Sequence, residues 1–185
     1  MLLERGRERA AADRLKVTFQ EADAEDLPFP DASFDVVPPN RQQAANEMIR
    51  VCRPGGKIGL ANWTPDGFIG RLFKTIGKYV PPAPGVKSPA LWGTKAHLDA
   101  LFGAKATVAV ASRAFAFRYK SPKHWLEIFR TYYGPILKAF AAIDPEAREA
   151  LEADLYALLD EFNLAGDGTL VVPSEYLEIV ITKES

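Results

Sequence analysis

The chain has 185 residues, 48% of them hydrophobic and 25% charged, which suffices to bury a core as one domain and excludes a disordered chain or a fibre. Lys and Arg total 23 against 24 Asp and Glu, a formal net charge of -1, so nothing points to a nucleic-acid partner. The single cysteine, Cys52, excludes an intramolecular disulfide, no Cys/His cluster has metal-ligand spacing, and no apolar run reaches the roughly 20 residues of a membrane span, so the expectation is a soluble, cytoplasmic protein without a metal.

Leu2 to Leu15 reads as a helix of good helix formers, with Arg9 and Asp13 paired at i, i+4. Lys16 to Gln20 alternates as a short strand and runs into an acidic loop, and after Pro28 and Pro30 the residues Ser33-Phe34-Asp35 open a second apolar strand that reaches Val37. Pro38-Pro39-Asn40 leads directly into a helix from Gln42 to Arg53, with Ala45, Met48, Ile49 and Cys52 on one face. Pro54-Gly55-Gly56 stops that helix, and Lys57 to Trp63 suits a buried parallel strand. Phe68, Leu72, Phe73 and Ile76 mark a short apolar helix that ends at the run Pro81 to Gly85, and Thr94 is placed to cap a helix from Lys95 to Phe102. Ala106 to Tyr119 reads as a strand, its second half alternating Phe115, Phe117 and Tyr119 on one face. Ser121-Pro122 starts a helix with Trp125, Ile128, Phe129, Tyr132, Ile136, Leu137 and Phe140 on one side, and Asp144-Pro145 starts another bearing Leu151, Leu155, Leu158 and Phe162. Thr169 to Val172 and Tyr176 to Thr182 are strand-like and close the chain.

The most informative stretch is Glu21 to Val37, EADAEDLPFPDASFDVV, which puts a carboxylate at each of two strand ends. Ligands of open α/β sheets bind outside the carboxyl ends of the strands, where Asp23 falls, whereas Asp35 starts its strand and points to the other end. Read from Asp23 to Val37 and on to Arg53-Pro-Gly-Gly-Lys-Ile58, the sequence resembles the class I S-adenosylmethionine-dependent methyltransferases, and the small-molecule enzymes of ubiquinone and menaquinone synthesis most of all. The resemblance implies an α/β fold: a Rossmann-like methyltransferase sheet, incomplete at its N-terminal half, with a helical cap. Residues 1–185 then form one domain, with segments 66–102 and 121–165 as cap or insert. It also implies S-adenosylmethionine as cofactor, the adenine amino group donating to Asp23 and the Ala24 N–H meeting a ring nitrogen, with Ala22 beside them. A carboxylate suits that place because it only accepts hydrogen bonds when ionised.

Two parts of the family pattern have no counterpart in the chain. No Gly-x-Gly motif precedes Asp23, and the connection at Pro38-Pro39-Asn40 is short where relatives carry a longer segment beside the cofactor. The family's seven-stranded order inserts the seventh strand between the fifth and sixth and sets the first three beyond the fourth, so the Lys16 strand would lack its neighbours. Exposed apolar edges pair. The expectation is that the Lys16 strand moves beside the Phe34 strand, or that another chain fills the gap, giving a homodimer through the sheet edge.

Methyl transfer depends on positioning and desolvation more than on a dedicated base, so no catalytic residue is assigned. Trp63, at the end of its strand, and Trp92 are candidate walls of a substrate pocket, and Tyr132 a candidate contact. His97 and His124 sit in helices behind start signals and read as exposed, and Cys52 reads as core. The leading function is methyl transfer to a small molecule, by this chain or by a longer protein of which it is the larger part, as when the coding start is placed too far downstream. The alternative is a degenerate, non-catalytic methyltransferase-like protein that binds or interacts.

Overall fold

The computed structural model describes residues 2–37, 42–83, 85 and 88–184, so Pro38-Pro39-Asn40 lies outside the described residues. Helix α1 (Leu2–Ala12) precedes strand β1 (Phe34–Val37), helix α2 (Gln42–Val51) and strand β2 (Cys52–Trp63). Then come α3 (Phe68–Tyr79), a 3-10 turn (Pro89–Gly93), α4 (Lys95–Phe102), β3 (Ala106–Tyr119), the helices α5 (Pro122–Tyr132), α6 (Gly134–Ala142) and α7 (Pro145–Phe162), and β4 (Leu170–Lys183). The sheet order is β1-β2-β4-β3, with β1 parallel to β2 and β4 antiparallel to both β2 and β3. That is the order of the fourth, fifth, seventh and sixth strands of the family sheet.

The sheet has a covered side and a half-covered one. On the first, Ile58, Leu60, Ile179 and Ile181 pack with Met48 and Ile49 of α2 and Leu98 and Phe102 of α4. Lys183 fastens the C-terminus of α2, its ammonium donating to the Ile49 and Cys52 carbonyls at 2.7 and 2.8 Å, where a cation offsets the helix dipole. On the other side, α3, α5, α6 and α7 form a cap around Phe68, Leu72, Trp125, Leu155 and Leu159, seated on Leu170 and Val172. Nothing among the described residues covers the rest of that face, and Gly59, Ala61, Ala109 and Val180 are exposed there.

Lys16 to Gln20 forms no strand and does not move beside β1, which corrects the pairing expected from its alternation. A strand needs a ladder partner, and this segment instead folds back on α1. Phe19 packs against Gly6, the Arg7 guanidinium reaches the Phe19 carbonyl, and Leu15 and Val17 stay exposed. Among the described residues nothing pairs with the outer edge of β1.

Three boundaries also differ. The helix expected to run from Pro122 past Phe140 breaks between α5 and α6, where Tyr133 is extended and Pro135 stands in the first turn of α6. A continuous helix would lose the Pro135 N–H and clash with the carbonyl four residues back. Tyr132 and Leu137, expected on one apolar face, are therefore exposed. Strand β4 runs unbroken through Pro173, which it tolerates because β2 ends opposite Tyr176 and leaves β4 a single neighbour there. Strand β2 starts at Cys52, and a register shift between Phe34 and Val36 absorbs the Arg-Pro-Gly-Gly turn.

Candidate functional site

The acidic loop is organised by Arg50. Its guanidinium donates to the carbonyls of Leu27 and Phe29 at 3.0 and 2.8 Å, to Asp31 at 2.8 Å and to Glu47 at 2.7 and 2.8 Å. Glu47 in turn accepts the Leu27 N–H at 3.0 Å, and the Arg50 carbonyl accepts the Ala32 N–H. Together these bonds lash residues 27–32 to α2. The Arg50 hydrogen bond, with that of the Leu27 amide, holds the Glu47 carboxyl down at about 2. Arg50 itself is shifted upward by its bonds to Glu47 and Asp31. Arg50 lies in no sequence motif, although its i, i+3 spacing from Glu47 lets the two act together.

Asp23 opens a tight turn at the head of this loop. Its carboxylate accepts the Glu25 N–H at 2.9 Å and its carbonyl accepts the Asp26 N–H at 3.2 Å. Ala22, Asp23 and Ala24 are all exposed. An acceptor-only carboxylate beside a backbone N–H, held in an exposed turn, matches the edge of an adenine, which offers an amino donor next to a ring acceptor. The donor set thus fits the adenine end of S-adenosylmethionine. For the ribose and methionine ends the described residues show no comparable cradle.

Trp63 ends β2 against the cap, and its backbone is tightly enclosed. A Cβ on Gly93 would collide with the Trp63 carbonyl, and one on Gly70 with the Thr64 carbonyl, so only glycine lets the 3-10 turn and α3 approach so closely. Buried Thr64 continues the fastening: its N–H donates to the Glu175 carbonyl at 3.1 Å, and its hydroxyl accepts the Gly67 N–H at 3.2 Å. Ser174 on β4 caps α3 from outside the helix, its hydroxyl accepting the Ile69 N–H at 3.3 Å.

On the half-covered face this strand end borders a cavity of about 320 Å³ lined by Ala61, Trp63, Phe115, Phe117 and Tyr176. The register explains the grouping. Trp63 lies opposite Tyr176, and Phe115 and Phe117 lie opposite Ser174 and Val172, so all share one face. The Trp63 ring centroid is 5.8 Å from those of both Tyr176 and Phe117, and Phe115 is 5.0 Å from Phe117 in an edge-to-face contact. Phe115 is 52% exposed, which leaves an apolar ring facing the cavity mouth.

The other candidates lie elsewhere. Trp92 packs beside Phe102 and His97 on the opposite side of the sheet, and Tyr132 is 78% exposed at the end of α5. His97 and His124 are half-buried, not exposed as their helical positions suggested, because one meets Trp92 and the other Tyr119. Cys52 is fully buried, and burial pushes its thiol up, away from nucleophilic character. Among the described residues no group of three or more His, Cys, Asp or Glu could hold a metal ion.

A sequence profile described as a methyltransferase domain matches residues 1–60. An uncharacterized protein of Mycobacterium tuberculosis is 37% identical over 193 residues, covering 98% of this chain and 70% of its own length. A protein of Deinococcus radiodurans named demethylmenaquinone methyltransferase is 36% identical over 94 residues, 45% of this chain and 39% of that one. The chain belongs to the class I S-adenosylmethionine-dependent methyltransferases. The YcgJ protein of Bacillus subtilis superposes on this methyltransferase with a TM-score of 0.61 at 20% identity, over 99% of this chain and 78% of its own, which confirms the Rossmann-like fold. S-adenosylmethionine is the cofactor that membership assigns, and no helix among the described residues is long and apolar enough to cross a membrane.

Proposed function

We propose that this methyltransferase transfers a methyl group to a small apolar or aromatic acceptor held against Trp63, with the adenine of the cofactor read by Asp23 and Ala24 beside Ala22. The observation that carries the reading is the aromatic cavity at the carboxyl end of β2, the side of the sheet on which open α/β folds bind ligands. The sulfonium of S-adenosylmethionine supplies the reactivity. The chain's own part is to orient and desolvate: the buried frame of Thr64, Gly70 and Gly93 fixes Trp63, and the Arg50 clamp fixes the loop behind Asp23. The relative named for demethylmenaquinone supports a ring compound as acceptor. Trp92, on the opposite side of the sheet, and Tyr132, exposed at the end of α5, are not part of the pocket proposed here.

The domain reading is one unit over 1–185, with 66–102 and 121–165 as cap or insert, although α4 packs on the face opposite the cap. We place its work in the cytoplasm, with no nucleic-acid partner, on the strength of its near-neutral charge and its lone buried cysteine. The outer edge of β1, unpaired among the described residues, is where a second copy would add, and light scattering at micromolar protein should then report a dimer.

Calorimetric titration with S-adenosylmethionine tests the cofactor assignment. Binding near micromolar, a free energy of about -8 kcal/mol, should weaken at least about tenfold in Asp23→Ala. Equal affinity in the variant would remove Asp23 from the site.

A further inference from the structure

The cavity's aromatic floor continues into a charged pair on the same face. Arg113 is the cross-strand partner of Tyr176 and stands two residues before Phe115, while Glu178 lies two residues beyond Tyr176 and opposite Ala61. Alternation along the strands therefore sets guanidinium, carboxylate and rings side by side. The pair is loose. Arg113 Nε and Nη2 each lie 3.4 Å from a Glu178 oxygen, against about 2.7–2.9 Å for a close charge-assisted bond, and the two side chains are 53% and 51% exposed. There is room beside it, since Ala61 is the smallest wall of the cavity and a Cβ added at neighbouring Gly59 would meet nothing within 4 Å.

These features fit a ligand with two chemically different ends. Trp63, Phe115, Phe117 and Tyr176 offer apolar ring surface, and 320 Å³ is at the small end of ligand sites, enough for one or two fused rings. A guanidinium is planar and presents paired donors matched to a carboxylate or similar anion. We propose that the acceptor is an aromatic compound carrying an anionic group, its ring seated on Trp63 and Phe115 and its anion displacing Glu178 from Arg113. This rests on the reading of the cavity as the acceptor site.

The test titrates the full 185-residue protein with 2-naphthoate and with its neutral isostere 2-naphthamide. The naphthoate should bind at least about tenfold more tightly. Arg113→Gln should abolish that preference, and Glu178→Gln, which frees the guanidinium, should widen it several-fold. Ala61→Phe should remove binding of both probes while the thermal transition is retained, because Ala61 is exposed and the larger ring enters the cavity and not the core. Equal binding of the two probes, or a preference that survives Arg113→Gln, would overturn the anion assignment. If equal binding is still lost in Ala61→Phe, the cavity reading stands while the proposal falls. Absence of binding by either probe would remove both.

Discussion

Phe68, Trp125 and Leu155 in the cap are fully buried, whereas Asp23, Ala24 and Asp26 in the acidic turn are exposed. The first region is held by packing that excludes water, aromatic rings meeting at centroid separations of 4.1 Å for Trp125 on Phe129 and 5.7 Å for Phe68 on Trp125. The second is held by the bonds of Asp23 to the Glu25 and Asp26 amides, and the loop that continues from it, residues 27–32, by Arg50 and Glu47. The two halves of the proposed reaction thus rest on different physics. The proposed acceptor side leans on the core through Trp63 and Phe117, and the proposed cofactor side is a surface loop attached to a helix. Substitutions should therefore affect global stability in one region and local order in the other.

The largest effect is expected from Phe68→Ala, which opens a cavity in the middle of the cap. A loss of about 3–5 kcal/mol is typical for buried phenylalanine, read as a lower urea midpoint with an unchanged slope. Gly93→Ala comes next, since its Cβ would strike the Trp63 carbonyl, and overpacking of this kind costs about 1–3 kcal/mol. It should also distort the floor of the cavity, so probe binding should fall with stability. If Gly93→Ala were as stable as the parent, the enclosure of Trp63 would not be rigid.

Arg50→Gln should leave the thermal transition nearly in place while hydrogen exchange quickens at Leu27 and Ala32, whose amides donate to Glu47 and to the Arg50 carbonyl. A large drop in midpoint would show that the loop belongs to the cooperative core and would erase the contrast.

The smallest effect is a pH dependence. The folded Glu47 carboxyl is held at about 2, below the unfolded value of about 4.3, so the stabilisation is complete above the unfolded value and is lost as pH falls through the folded one. The Leu27 amide shift followed by NMR should titrate with a midpoint near 2. A midpoint near 4.3, the ordinary carboxylate value, would mean the clamp is not formed.

The contrast also explains what the sequence made legible. Periodicity located α3, α4 and β3 and the bodies of α2 and β2, because that signal is local and the packing agrees with it, whereas the Pro54-Gly55-Gly56 stop falls inside β2 and α2 ends earlier, at Val51. Trp63 could be picked out because it ends a strand. Its neighbours Phe117 and Tyr176 could not be tied to it, since which strands pair and in what register depends on contacts more than fifty residues apart along the chain. Lys16 to Gln20 misled for the opposite reason: alternation signals a strand only when a partner is present to complete the ladder. Tyr132 joins a shared apolar face only if one helix runs through Gly134-Pro135, where the chain in fact turns.

Hydrogen–deuterium exchange of the whole chain with and without S-adenosylhomocysteine addresses the division of labour most directly. The division of labour predicts new protection concentrated at residues 21–32, a largely exposed loop held by its own turn bonds and by the Arg50–Glu47 clamp, with little change in α5 to α7. Protection confined to the cap, or none at residues 21–32 at saturating ligand, would contradict it.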